Sequence, residues 1–250
     1  MERTRIPNTR GGTISAVIHR SEINTGKLAI LCPGYLDTKD YAHLVDLADR
    51  LAKLGYTVVR FDPTGTWESD GAISEYLMSQ YLEDIKSVLE YMLVEGGYTY
   101  VLLGGHSRGG QVSLLYAARD SRISEVLGIM PSHGSIEGTR RTEWEVAGVK
   151  ESDRDIPGSE ERKHFAVPFQ HVIDRDQFDA LRDMKNIHVP VYLFAGELDD
   201  LVAPEEVQEL FDAANEPKRY FVFKGIDHDY RLNPVQVQSV NEQIISILQG

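Results

Sequence analysis

Short apolar runs alternate with stretches of helical periodicity along this chain, and this alternation limits the fold more than any other feature. The runs have the length and composition of strands that are buried on both faces, as in a parallel sheet. They lie at 28–32, 57–61, 100–104, 126–130, 189–195 and 220–223. Apolar residues recur at helical spacing between the runs. The clearest stripes are Leu44, Leu47, Leu51 and Leu54; Leu82, Ile85, Leu89 and Leu93; and Val237, Val240, Ile244 and Ile247.

The alternation predicts an α/β fold with a mostly parallel central sheet that is covered by helices on both faces. With 250 residues, of which 42% are hydrophobic, the chain can bury one sizeable core. Residues 3–7 and 13–19 alternate apolar and polar positions around a Gly-Gly turn, which favours a hairpin at the sheet edge. Asn233 followed by Pro234 predicts the start of the last helix.

One segment breaks the alternation. Residues 131–171 carry eight acidic and six basic side chains and only scattered apolar ones. A connection of this length inside a compact domain is usually functional or disordered. We expect a small cap, or lid, inserted above the sheet, with a solvated surface loop as the alternative. The core would then comprise residues 1–130 and 172–250.

The composition excludes several classes of partner. Lys and Arg total 26 against 39 Asp and Glu, and the net charge of −13 would repel nucleic acid and anionic membrane surfaces. The single cysteine, Cys32, cannot form an intrachain disulfide, and no apolar run reaches 18 residues. We therefore expect a cytoplasmic protein that acts on a small molecule, has no nucleic-acid or membrane partner, and is compatible with a homodimer.

The apolar run at 100–104 leads into Gly-His-Ser-Arg-Gly at 105–109, which is followed by a helical pattern. In such a strand-to-helix turn the serine takes a strained backbone conformation, and the glycines let strand and helix pack closely. We interpret Ser107 as a nucleophile. The N–H of Arg108 would lie at a helix N-terminus, where it stabilises negative charge on an attacked carbonyl oxygen. The alternative is a glycine-rich turn with an idle serine.

Ligands bind at the carboxyl ends of parallel strands, so the residues that follow each strand are candidates for chemistry. After the run at 28–32, a Pro-Gly turn precedes Tyr35, whose N–H would be the second oxyanion donor; a simple strand-exit turn is the alternative. Asp199 follows the run at 189–195 and would orient an imidazole. Its neighbour Asp200 is a second candidate, and an acidic turn that only starts a helix is a third interpretation.

His228 follows the last strand and precedes the last helix, which gives the chain order Ser, Asp, His. We interpret it as the general base. His106 precedes the nucleophile and is expected to pack under the turn, while His133 at the start of the cap is a further candidate. The chain lacks His-Glu-x-x-His, clustered cysteines and Gly-x-x-x-x-Gly-Lys, so neither a metal nor a cofactor is expected.

Together these segments resemble the α/β-hydrolase family over nearly the whole chain except the cap. Within the family, the opening Ile-Pro-Asn at 6–8, the Pro-Gly-Tyr-x-Asp-x-Lys loop at 33–39 and the cap resemble bacterial cinnamoyl (feruloyl) esterases and serine-aminopeptidase-like hydrolases. The resemblance implies a serine esterase of small to medium acyl esters. It also implies a set of site residues. These are Ser107, Asp199 and His228 as a catalytic triad and the N–H groups of Tyr35 and Arg108 as an oxyanion hole.

The chain also departs from the family pattern. It has Pro33 where many members have His, Thr64 where many have Arg, and Trp67 in place of a second glycine. An indole near the crevice would wall off part of the acyl pocket.

Two rival functions stay open. A serine aminopeptidase would use the same triad and would need a carboxylate pair to hold a free amino terminus. The cap supplies candidates in Glu143, Glu145, Glu160 and Glu161. The other rival is a non-catalytic binding module on the same fold.

Overall fold

A computed structural model describes residues 1–23 and 25–249 of the chain. Within them, ten strands and eight α-helices alternate. Strands β1 to β10 span Glu2–Pro7, Thr13–His19, Lys27–Cys32, Tyr56–Phe61, Tyr100–His106, Glu125–Ile129, Val149–Asp155, Arg162–Pro168, Val191–Gly196 and Lys218–Phe223. Helices α1 to α8 span Ala42–Lys53, Met78–Glu95, Arg108–Ala117, Gly138–Ala147, Gln170–Arg175, Ala180–Asp183, Pro204–Ala213 and Pro234–Leu248.

Eight of the strands form one sheet in the order β1-β2-β4-β3-β5-β6-β9-β10. The pairs from β4 to β10 are parallel, whereas β1 and β2 form an antiparallel hairpin at the edge, and β2 is antiparallel to β4. The predicted α/β class, the mostly parallel sheet and the edge hairpin are therefore confirmed. Because the strands run the same way, their carboxyl ends meet along one edge of the sheet.

Helices cover both faces of the sheet, as the alternation predicts. Along β3, Leu28, Ile30 and Cys32 pack on the side of α2 and α3, whereas Ala29 and Leu31 pack on the side of α1 and α8. This alternation follows from the two-residue period of a strand. The last helix begins as predicted, since the Asn233 side chain accepts hydrogen bonds from the N–H groups of Val235 and Gln236.

One strand differs from the prediction. The run at 220–223 was expected to be buried on both faces, but β10 forms the edge of the sheet and only Phe223 in it is buried. A sequence pattern cannot distinguish the two cases here, because Tyr, Phe and Val are favoured both in central strands and in half-exposed ones.

The segment at 131–171 contains its own secondary structure, which consists of helix α4 and the antiparallel pair of β7 and β8. It packs on the loops at the carboxyl edge of the sheet. The Tyr41 hydroxyl donates to the Asp155 carbonyl at 3.0 Å, and Lys163 Nζ donates to the Trp67 carbonyl at 2.6 Å. None of the helices in the described part of the chain has the length and apolar character that a membrane span needs.

Candidate active site

Ser107 lies in the tight turn between β5 and α3, with φ of 55° and ψ of −119°. An L-residue adopts this conformation only under strain, which the surrounding packing must hold in place. Three other non-glycine residues in the described chain have positive φ, namely Leu36, Trp67 and Met130. Each of the four follows a strand at the carboxyl edge of the sheet. Backbone strain is therefore concentrated where parallel sheets bind their ligands.

The glycines beside Ser107 are required by close backbone packing. A Cβ on Gly105 or on Gly109 would collide with the carbonyl oxygen of Cys32 at the end of β3, and on Gly109 it would also lie 2.7 Å from the Pro33 oxygen. These obstacles are backbone atoms, which cannot rotate away.

We expect Gly109→Ala to lower the free energy of unfolding by about 1–3 kcal/mol, because an added methyl group must displace backbone from a packed core. Urea denaturation followed by circular dichroism measures the change. Gly97→Ala is the control, since a Cβ there meets open space at an ordinary φ and should leave the free energy unchanged or slightly raised. Equal effects of the two substitutions would contradict the packing argument.

His228 connects Ser107 to Asp199 through hydrogen bonds on both ring nitrogens. Nε2 lies 2.9 Å from Ser107 Oγ, and Nδ1 lies 2.7 Å from Asp199 Oδ2. With Nδ1–H donating to the carboxylate, Nε2 carries the lone pair that can accept the hydroxyl proton. The structure thus brings together the serine, histidine and acid that the sequence singles out from three different loops.

The carboxylate of Asp199 is enclosed by the protein. Its side chain is fully buried, and its second oxygen accepts hydrogen bonds from the N–H groups of Leu201 and Val202 at 3.0 and 2.8 Å. These bonds hold one carboxylate oxygen in place while the other faces the imidazole. Asp200, the alternative acid, is exposed to solvent.

The two backbone N–H groups that the sequence predicts as oxyanion donors, those of Tyr35 and Arg108, belong to residues that line the cavity with Ser107. Arg108 is the first residue of α3, so its N–H has no acceptor within the helix. Tyr35 follows β3 in the neighbouring loop. Among residues 1–23 and 25–249, neither N–H donates to a protein acceptor. Both are therefore free to donate to a bound ligand.

A buried ion-pair network anchors the loop that carries Tyr35. The ammonium of Lys39 is fully buried and lies 2.9 Å from Asp62, 2.6 Å from Glu68 and 3.0 Å from Asp40. Burial raises the pKa of Asp62, and the charge of Lys39 opposes that shift. The backbone N–H of Lys39 also donates to Asp62 at 2.8 Å.

We expect Lys39→Met to lower the free energy of unfolding by about 3–5 kcal/mol, because it leaves the Asp62 carboxylate buried without its counter-charge. Urea denaturation at pH 7 measures the loss. Lys86→Met removes the same charge from an exposed position of α2 and should change stability by less than about 0.5 kcal/mol. A loss at Lys39 no larger than the loss at Lys86 would show that the network is dispensable.

Three buried side chains, those of Asp37, His43 and His106, lie close together near His228. The ring of His106 is 4.7 Å from that of His228 and 5.5 Å from that of His43. Burial lowers the pKa of His43 to about 3 and holds the pKa of His106 well below its usual range, so both stay neutral. His106 packs under the turn, as expected. Ligand atoms of Asp37, His43 and His106 lie within 4.8 Å of one another, the only such group in the described residues with a geometry that could hold a metal ion.

A cavity of about 470 Å³ opens beside Ser107 and His228, between the sheet edge and the segment at 131–171. Trp144 from α4 lines it, whereas Trp67 does not. The expectation that Trp67 walls the pocket is therefore wrong. Its indole donates to the Leu36 carbonyl at 2.9 Å and packs against Phe165. His133 also lines the cavity, 3.8 Å from Glu206, and its ring forms no hydrogen bond with Ser107.

The sequence reasoning missed the basic residues that share this cavity. They are Arg108, Arg140, Lys150, Arg154, Arg175 and Arg231. The excess of acidic residues in the whole chain concealed them, and nothing in their spacing indicates that they converge.

The chain has the fold of the α/β hydrolases, as its likeness to solved structures of that class shows. Residues 24–140 match a family model described as serine aminopeptidase, S33. The match covers the predicted nucleophile and oxyanion donors and ends before the acid and the histidine.

Comparisons with individual proteins place the chain among several relatives. The structure of Est1E from Butyrivibrio proteoclasticus with bound ferulic acid has a TM-score of 0.80 at 19% identity over 98% of both chains, which establishes the likeness of fold. In sequence, the chain is 24% identical over 197 residues to the mitochondrial palmitoyl-protein thioesterase ABHD10 of Mus musculus, which covers 75% of this chain and 64% of that protein. It is 37% identical over 225 residues to an uncharacterized protein of Mycobacterium tuberculosis, 89% of this chain and 66% of that protein. The chain thus spans less than two thirds of the length of ABHD10.

Proposed function

We propose that this protein is a serine hydrolase that cleaves carboxylic esters of small to medium acyl groups. The observation that carries the proposal is the hydrogen-bonded series Ser107, His228 and Asp199 beside a cavity of about 470 Å³. A nucleophile within hydrogen-bond reach of a base, which a third group orients, is the arrangement that acyl transfer needs.

The reaction proceeds in two steps. His228 takes the Ser107 proton as Oγ attacks the ester carbonyl, and the N–H groups of Tyr35 and Arg108 stabilise the oxyanion. The carbon–oxygen bond to the alcohol breaks, and His228 protonates the departing oxygen. Water then attacks the acyl-enzyme with His228 as base again, which releases the acid and restores Ser107.

The relatives suggest which acyl groups to test. The Est1E structure holds ferulic acid, and ABHD10 is named a thioesterase. We therefore include hydroxycinnamate esters and acyl thioesters in the proposed substrate range. We further propose that residues 131–171 act as a cap on the core formed by 1–130 and 172–250, because α4 and β7 of this segment supply one wall of the cavity. A cytoplasmic location remains a prediction.

The lining of the cavity argues against an aminopeptidase. A free amino terminus is positively charged and needs carboxylates near the reacting bond. The candidate acids of the cap are exposed and lie outside the cavity; they are Glu143, Glu145, Glu160 and Glu161. Four other acids line the cavity: Asp37 and Asp229 flank Arg231, Glu206 faces His133, and Glu137 is exposed.

Initial rates of hydrolysis test the proposal. Wild-type protein and Ser107→Ala are compared on 4-nitrophenyl esters of increasing acyl length, on methyl ferulate, on an acyl thioester and on an aminoacyl amide. Turnover of esters that disappears in Ser107→Ala supports the proposal. Faster turnover of the amide than of the matching ester would favour the peptidase. Failure of Ser107 to react with a fluorophosphonate, together with no turnover of any substrate, would favour the binding module.

A further inference from the structure

Six basic residues line the cavity, and among the described residues Arg231 is the one of them that has acidic partners. Within the described chain, none of Arg108, Arg140, Lys150, Arg154 and Arg175 forms an ion pair with a carboxylate. Four acids also line the cavity, and the charge of Arg154 acts on one of them, Asp37, without forming an ion pair with it. Asp37 and Asp229 flank the guanidinium of Arg231, at 3.7 and 3.1 Å, while Glu137 is exposed and Glu206 faces His133.

Arg108 is the most deeply buried of these cations, with 2% of its surface exposed. Its Nε and Nη2 have no hydrogen-bond partner among the described residues. Nη1 lies 3.5 Å from Nδ1 of His171, but that nitrogen lies 2.7 Å from the Tyr76 carbonyl and donates to it. The Arg108 contact therefore joins two donors. A buried guanidinium without an acceptor is strongly unfavourable, and a bound anion would supply what the protein does not.

Three of the cations surround the ring of Tyr35. The ring centroid lies 5.4 Å from Cζ of Arg108, 5.7 Å from Cζ of Arg154 and 6.0 Å from Nζ of Lys150. The Tyr35 hydroxyl is buried, and the side chain of Ser152 is its polar neighbour. Burial raises the pKa of Tyr35, so the hydroxyl keeps its proton and is a further donor.

Arg175 is a fourth cation in the lining of the cavity, beside Arg108, Lys150 and Arg154. Its Nε is buried without a partner. Burial and the neighbouring charge of Arg108 lower the pKa of Arg175 to about 9, which still leaves it protonated at neutral pH. Like charges held this close repel one another, and an anion between them would relieve that repulsion.

We propose that this cavity binds an anionic group of the substrate, so that the preferred substrate is an ester carrying a carboxylate or a phosphate. The inference rests on the proposed function and names its substrate class. Guanidinium groups bind both anions through paired hydrogen bonds. Because Tyr35 and Arg108, whose N–H groups are the proposed oxyanion donors, also contribute their side chains to this group of cations, the charge would lie close to the scissile carbonyl.

Two matched substrate pairs test the inference. On the acyl side, the 4-nitrophenyl half ester of adipic acid is compared with its primary amide, 4-nitrophenyl 5-carbamoylpentanoate. On the alcohol side, 3-carboxyphenyl hexanoate is compared with 3-carbamoylphenyl hexanoate. Each pair differs in charge and hardly in size. We expect at least a tenfold higher kcat/KM for the anionic member of one pair. Replacing the carboxylate of that member by a phosphonate then distinguishes a carboxylate site from a phosphate site.

Variants test whether the cations of the cavity cause the preference for anionic esters. Arg175→Met and Lys150→Met should each reduce the ratio of kcat/KM between anionic and uncharged ester by at least threefold. Arg162→Met removes the same charge from an exposed position of β8, where Arg162 pairs with Asp155, and should leave the ratio unchanged. A melting curve establishes that each variant is folded.

The outcomes separate this inference from the proposed function. Ser107-dependent turnover of both members of each pair at equal rates would overturn the anion site and leave the hydrolase proposal intact. Turnover of no ester would overturn the hydrolase proposal. In that case the binding of adipate, measured by the melting temperature, tests the anion site. Adipate should raise the melting temperature of Ser107→Ala and should raise it less when Arg175→Met is added, and equal shifts would overturn the inference.

Discussion

Ser107→Ala and His228→Ala are each expected to lower kcat for ester hydrolysis by about 10⁴- to 10⁶-fold. In the proposed mechanism the serine supplies the attacking oxygen, and the histidine, 2.9 Å away, takes its proton. Because the two side chains act as one unit, the double variant should be hardly slower than either single variant. Steady-state kinetics on a 4-nitrophenyl ester, with burst-phase measurement of the acyl-enzyme, provides the test.

The control for this prediction is His133→Ala. His133 lines the same cavity without a hydrogen bond to Ser107, so its loss should change kcat by less than tenfold. If Ser107→Ala kept near wild-type turnover, the nucleophile assignment would be wrong. If His133→Ala were as slow as His228→Ala, the base would be misassigned.

Asp199→Asn is expected to lower kcat by about 10⁴-fold with little change in KM. An amide nitrogen facing Nδ1 of His228 would favour the imidazole tautomer that has its proton on Nε2, and that tautomer cannot accept the Ser107 proton. The second oxygen of Asp199 is held by the N–H groups of Leu201 and Val202, so the side chain is fixed in orientation.

Asp200→Asn is the matched control, because it makes the same chemical change one residue away on an exposed side chain. We expect it to alter kcat by no more than a few-fold. Comparable losses in the two variants would mean that the buried carboxylate does not orient the imidazole. A tenfold rise in KM with an unchanged kcat for Asp199→Asn would place this residue in substrate binding instead.

The net charge of the whole protein is negative, whereas several side chains that line the cavity are positive. A net charge of −13 predicts repulsion of extended polyanions, whose many charges sample the field of the whole surface. A small anion that enters the cavity beside Ser107 meets the local field of Arg108, Lys150 and Arg175. The two statements are compatible because salt screens the distant acidic surface over about 10 Å.

Local pattern was sufficient to predict the parallel sheet and the strand-to-helix turn at Ser107, because two-residue and 3.6-residue periods and close glycine packing are properties of neighbouring residues. Chain order was sufficient to propose an acid at 199 or 200 and His228 as partners of Ser107, since the carboxyl ends of parallel strands share one edge. The choice between the two acids came from the tertiary structure, in which Asp199 is buried against His228 and Asp200 is exposed.

Long-range packing decided the rest. The edge position of β10 depends on which strand pairs with β9. Whether Trp67 or Trp144 lines the cavity depends on how the segment at 131–171 packs on the sheet edge. The cationic cavity unites Arg108 of α3, Lys150 of β7 and Arg175 of α5, which are 25 to 67 positions apart in the chain. Each is an ordinary basic residue in its own segment. Only the tertiary structure brings them together. Their mutual repulsion and their lack of acidic partners depend on distances in space, which the spacing of residues along the chain does not encode.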